Sequence, residues 1–122
     1  MILIGDENIP YETIEKIETI KDIETTKSNS TVLFNFDIDT LKYTQANDIR
    51  CIVKVTTIQE LIYASNLGAS YIMPESKILK SSQKLADNYM FDSKILAIID
   101  NENQIEQMAL DEIDGIIYKH LI

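Results

Sequence analysis

Cys51-Ile52-Val53-Lys54-Val55-Thr56-Thr57-Ile58-Gln59-Glu60-Leu61 decides the fold. Its first five residues are apolar except for Lys54 and run without alternation, as in a strand covered on both faces. Thr57-Ile58-Gln59-Glu60 then reads as a capping box, with Thr57 capping a helix and Glu60 reaching back. Ile58, Leu61, Ile62 and Leu67 form the expected buried stripe, and Gly68 suits the C′ position that closes the helix. Gly68-Ala69-Ser70 leads into a second apolar run, Tyr71–Met73, which begins 20 residues after Cys51. Strand, helix and strand at this spacing make a βαβ unit with its two strands parallel.

The same unit repeats further along. Leu96-Ala97-Ile98-Ile99 leads through Asn101 and Gln104, a second capping pair, into a helix carrying Ile105, Met108, Ala109 and Ile113. Asp114-Gly115-Ile116-Ile117 then follows. Six apolar runs recur in all, at Ile2–Ile4, Val32–Phe36, Cys51–Val55, Tyr71–Met73, Ile95–Ile99 and Ile116–Tyr118. A helix is expected over Ser76–Phe91, with Leu79, Leu85, Ala86 and Tyr89 among its apolar positions. Pro10 suits the first turn of another helix, along which Ile14, Ile17 and Ile20 recur. Ile23–Thr26 then reads as a short edge strand. No linker divides the chain. The expectation is one α/β domain over residues 1–122: a mainly parallel sheet of five or six strands with helices on both faces, of flavodoxin or receiver type. The alternative is a partial TIM-barrel-like arrangement.

Twenty acidic residues face eleven basic ones, a formal charge of −9. Counterion displacement from nucleic acid needs a basic footprint, so neither nucleic acid nor an anionic membrane is an expected partner. Cys51 is the only cysteine, which excludes an internal disulfide and suits a reducing compartment. The apolar start Met1–Ile4 meets Gly5-Asp6-Glu7 too soon for a signal peptide, and no apolar run approaches ~20 residues. A cytoplasmic location is expected.

Val55–Leu61, Gly68–Ile72, Ile98-Ile99-Asp100 and Asp114-Gly115-Ile116 resemble the later βα units of phosphate-binding TIM barrels. The thiamine-phosphate synthase and aldolase groups are examples. The likeness covers residues 51–118. It implies a ligand with a phosphate group, although Asp100-Asn101 stands where those families carry a glycine pair. Asp6-Glu7, Asp37, Thr56 and Met73-Pro74 are similar in order to the motif residues of response-regulator receiver domains. That resemblance implies a regulatory domain with Asp37 at the phosphoryl-acceptor position. Met73 replaces the lysine of the family pattern, which implies a degenerate member that does not run the phosphorylation switch.

Parallel α/β sheets bind ligands outside the carboxyl ends of their strands. Asp6, Glu7, Asp37, Asp39, Thr56, Glu75 and Asp100 fall there. Asp6, Glu7, Asp37 and Asp100 are the candidate ligands for Mg²⁺, which favours hard oxygen donors. Each also has a simpler role, since aspartate after a strand commonly caps the following helix. Lys54 lies in an apolar strand on the same face as Thr56, and Asn35 shares a face with Asp37. A desolvated lysine can form a Schiff base, which makes Lys54 the candidate catalytic residue. Cys51 reads as a small buried hydrophobe, and nothing in the spacing pairs it with His120.

Two functions follow. The leading one is a non-catalytic regulatory or protein-interaction domain, with a protein partner or a second copy as its ligand and no cofactor. The alternative is a Mg²⁺-dependent or Schiff-base enzyme acting on a small phosphorylated metabolite. The apolar end Leu121-Ile122 after Ile116-Ile117 further suggests a homodimer to which the last strand or tail contributes.

Overall fold

The computed structural model describes residues 1–122. Seven strands are present: β1 Ile2–Ile4, β2 Ile14–Lys16, β3 Thr31–Asn35, β4 Cys51–Val55, β5 Tyr71–Pro74, β6 Lys94–Ile99 and β7 Gly115–Tyr118. The α-helices are α1 Ile38–Ala46, α2 Ile58–Asn66, α3 Leu79–Asn88 and α4 Ile105–Leu110. All strand pairs are parallel, in the order β1-β7-β6-β5-β4-β3-β2.

From β2 to β7 every strand lies beside its successor, so each crossover advances in the same direction. Right-handed crossovers that never reverse direction place every helix on one face of the sheet. The core divides accordingly. One cluster joins Val32, Phe34, Val53, Val55, Ile72, Ile95, Ala97, Ile99 and Ile116 of the strands to Leu41, Leu61, Ala64, Leu79 and Ala86 of the helices. The other holds only strand residues: Ile4, Leu33, Ile52, Met73, Leu96 and Ile117. None of these six is more than 3% exposed, although no α-helix covers them. Side chains that dry on an uncovered face must bury one another, and burial of each contributes about 1.5–3 kcal/mol. The sheet therefore curls into a half-barrel with this second cluster inside.

Gly115 sits in that inner layer, in register between Ile2 of β1 and Leu96 of β6. A Cβ there would stand 2.6 Å from Ile2 Cβ and 2.8 Å from the Ile2 carbonyl oxygen. The missing side chain is what lets β1 close on β7 so tightly.

Three expectations are corrected. There are seven strands rather than five or six. The helices pack on one face rather than both, and the strand order lacks the reversal of a doubly wound, flavodoxin-type sheet. Unbroken apolar runs report two buried faces, and here the second face is buried by the sheet itself. The helix expected after Pro10 is absent; β2 stands there, held to β3 by bonds such as Ile17 N–H to the Leu33 carbonyl. The threefold isoleucine spacing ends in a 3₁₀ turn, Ile20–Thr25, whose period is three, and this turn occupies most of the expected edge strand.

The tail does not project. β7 is paired on both sides, and Leu121 and Ile122 pack against the inner cluster. The open edges belong to β1 and β2, so the last strand offers no pairing edge to a second copy. No helix is long and apolar enough to cross a membrane.

Candidate functional site

The carboxylates at the carboxyl ends of the strands do not form a metal-binding group of three. Asp37 caps α1: one oxygen accepts from the Thr40 amide at 2.9 Å and the Thr40 hydroxyl at 2.7 Å. The hydroxyl first, then the amide, holds its carboxyl below the usual range. Asp6 accepts from the Asn8 amide at 2.8 Å and from the Tyr118 hydroxyl at 2.9 Å. Removal from water, then the Asp6 carboxylate, pushes the Tyr118 phenol up to about 12. Glu7 is exposed, and the Asp100 amide donates to Gln104 in the turn that leads into α4. No three acidic, histidine or cysteine side chains stand together as a metal-binding group. No three of Asp6, Glu7, Asp37 and Asp100 form such a group, and Asp6 and Asp37 are tied into a turn and a cap.

Lys54 is placed differently. It lies on the concave face, in register between Asn35 of β3 and Met73 of β5, and is the one half-buried lysine. The ion pairs of the chain are Arg50–Glu12 and Lys80–Asp111, so Lys54 has none. Thr56, its neighbour on that face, is spent on Glu60, whose carboxylate accepts from the Thr56 amide at 2.8 Å. The α2 cap thus differs slightly from the expected box. Thr57 Oγ1 accepts from the Glu60 amide at 3.1 Å, but Glu60 reaches back one residue further, to Thr56. Cys51 is buried at the amino end of β4, where burial pushes its thiol up, whereas His120 is exposed beyond the carboxyl end of β7. The two sit at opposite ends of the sheet and cannot pair.

Sequence reasoning missed two features. At the amino ends of the strands, Glu12 accepts from the Thr31 hydroxyl at 2.6 Å and from Arg50 Nε at 3.1 Å. Arg50 also donates to the Tyr71 hydroxyl at 3.1 Å. Burial raises the Glu12 carboxyl, but hydrogen bonds from Thr31, Tyr71 and Arg50 outweigh it and leave it below its ordinary value. This network fastens the segment before β2 beneath the half-barrel.

The second is a groove of about 590 Å³ between α2 and α3. Ile58, Ile62, Ser65 and Asn66 form one wall; Leu85, Tyr89, Met90, Phe91 and Asp92 form the other. Leu61 and Ala64 point α2 at the sheet, which turns Ile62 outward at 37% exposure against the expected stripe. Tyr89, expected on the apolar face of α3, is 70% exposed, and Met90 is 84% exposed. Met90 also holds a positive φ of 52° as the chain leaves α3. Two signals were visible: Ile58 and Ile62 make a second apolar ridge on α2, and Tyr89-Met90-Phe91 is an apolar run at a helix end, an error unless functional.

Compared with known proteins, the chain matches no family model and no curated protein.

Proposed function

We propose that this chain is a non-catalytic protein-interaction domain that receives its partner in the α2–α3 groove. One observation carries the reading: of the eight large apolar side chains left exposed, Ile62, Tyr89 and Met90 line this groove, and Tyr63 lies next to Ile62 on the adjoining face of α2. Scattered exposed apolar residues need no explanation, but a contiguous patch marks a binding surface. Tyrosine and methionine are also the residues enriched at interface cores, methionine because it adapts to its neighbour. The test is selection of peptides from a random display library against the full chain, followed by hydrogen-exchange footprinting. Selected peptides that protect α2 and the end of α3 support the reading. Selected peptides that protect another face, or no enrichment at all, overturn it.

A second reading, a Schiff-base enzyme for a small phosphorylated carbonyl compound, is favoured by Lys54 alone. Its support is a half-buried amine on the concave face, near the carboxyl ends of the strands, with no ion-pair partner. A Mg²⁺-dependent version lacks such support, because no three carboxylates form a metal-binding group. Borohydride reduction in the presence of a phosphorylated aldehyde decides it. A mass adduct on Lys54, absent from Lys54→Arg, supports the enzyme; labelling spread over the surface lysines refutes it.

A further inference from the structure

Resting on the docking reading above, we infer that the occupant of the α2–α3 groove is a basic amphipathic helix of a partner protein.

The form of the occupant follows from hydrogen bonding. Both walls come from helices or helix ends whose backbone groups are already bonded. Tyr89 N–H donates to the Leu85 carbonyl, Met90 N–H to Asp87 and Phe91 N–H to Ala86. The groove thus offers no strand edge to an extended peptide. An occupant must satisfy its own backbone, and a helix does so. The nine residues of α2 span about 13 Å, which matches two to three turns of a partner with apolar anchors at i, i+3 or i+4, and i+7.

Charge gives the occupant's sign. Asp92 is the only charged residue of the lining. The lysines of α3 that could offset it, Lys80 and Lys84, line the opposite flank, with Asp111 and Glu112. α2 and α3 are both crossovers between parallel strands, so they run in the same direction and end side by side at Asn66 and Asn88. Neither has a basic residue in its last turn. The negative ends of two helix dipoles therefore lie at one end of the groove beside Asp92; of the two cations beyond Asp92, Arg50 is paired with Glu12, which leaves Lys94 alone to offset them. The net charge of −9 adds a longer-ranged field of the same sign. Lysine or arginine flanking the apolar anchors answers all three contributions. A second copy of this chain would bring the same acidic groove and the same −9, so it is the poorer occupant.

The test uses the full chain and four fluorescent peptides of about 14 residues. Three share one helical pattern of leucine anchors, with lysine, glutamine or glutamate at the polar positions; the fourth scrambles the lysine peptide. Anisotropy is read at ~150 mM salt to screen diffuse attraction. The lysine helix is expected to bind at least about tenfold more tightly than the other three. Met90→Asp and Ile62→Asp are expected to weaken it by about tenfold or more, whereas Leu110→Asp, outside the groove, leaves it unchanged. Each variant makes the chain more negative, so mere charge attraction would strengthen binding instead. Aspartate tolerates the positive φ of residue 90, which keeps Met90→Asp folded. If the glutamine or glutamate helix binds best and Met90→Asp abolishes it, the basic partner is refuted while the groove stands. Lysine-peptide binding that no groove variant weakens refutes both. A concentration-dependent dimer by light scattering, lost in Met90→Asp, refutes the basic partner in favour of a second copy.

Discussion

Replacing Gly115 by alanine tests the half-barrel at its tightest point. The new Cβ would lie 2.6 Å from Ile2 Cβ, 2.8 Å from the Ile2 carbonyl oxygen and 2.9 Å from Leu96 Cδ2. Carbon atoms at rest sit about 3.5–4.0 Å apart, so β1 must move away from β7 by about 1 Å. The Leu96 methyl can rotate aside; the Ile2 carbonyl is main chain and cannot. Overpacking by one methyl costs about 1–3 kcal/mol, and a backbone obstacle places this case at about 2–3 kcal/mol. For a chain of this length, about 1 kcal/mol shifts Tm by ~4 °C, so a fall of ~8–12 °C is expected. Thermal unfolding followed by far-UV circular dichroism measures it, with urea titration to check that the m-value is unchanged. A fall below about 2 °C would show that β1 does not pack against β7 as described.

Three further outcomes follow from other sites. The Asp37 carboxyl is depressed by Thr40, so its cap stabilises the fold above the unfolded pKa and is lost as pH falls through the folded one. Asp37→Asn should therefore flatten the decline of Tm below about pH 4 while costing no more than about 1 kcal/mol at neutral pH; parallel acid limbs would contradict this. Cys51 is 1% exposed with its thiol pushed up, so iodoacetamide should label it only after denaturation, and prompt labelling of the native chain would contradict its burial. Thr57→Ala removes the acceptor for the Glu60 amide and should cost about 1 kcal/mol in urea unfolding; an unchanged midpoint would show that the α2 cap carries no weight.

The repeat built on Cys51–Leu61 was legible because each of its signals is local: apolar run, cap, stripe and closing Gly68, which indeed takes a φ of 78°. β4, α2 and β5 lie where those signals put them. What covers the other side of the sheet was not legible. Ile52, Met73 and Leu96 look the same in sequence whether a helix or the opposite wall of the curl buries them. β2 was hidden because three residues are too few to show a period, and its isoleucines also fit a helix. Of the site residues, Lys54 could be placed on its face by alternation alone. The Mg²⁺ set could not be judged, because an aspartate that caps, as Asp37 does, reads the same in sequence as one that binds a cation. The groove was hidden by counting Ile62 and Tyr89 with the core, when a helix only nine or ten residues long turns just part of its apolar surface to the sheet.

The pairing of β1 with β7 has a consequence in time. Strands β2 to β7 each dock on the one made just before, so synthesis can lay them down in sequence. β1 leaves the ribosome first and docks last, for its partner is not yet made; the Asp6–Tyr118 hydrogen bond joins residues 112 positions apart. Closing that loop from an unfolded chain would cost about 4 kcal/mol in entropy, but little once the intervening units hold the ends near each other. Refolding should accordingly show a late phase in which Ile2–Ile4 leave water after the rest of the sheet has formed. Until then the nascent chain carries β1 without its partner β7, and this is the interval in which that apolar strand is most open to aggregation or to capture by a chaperone.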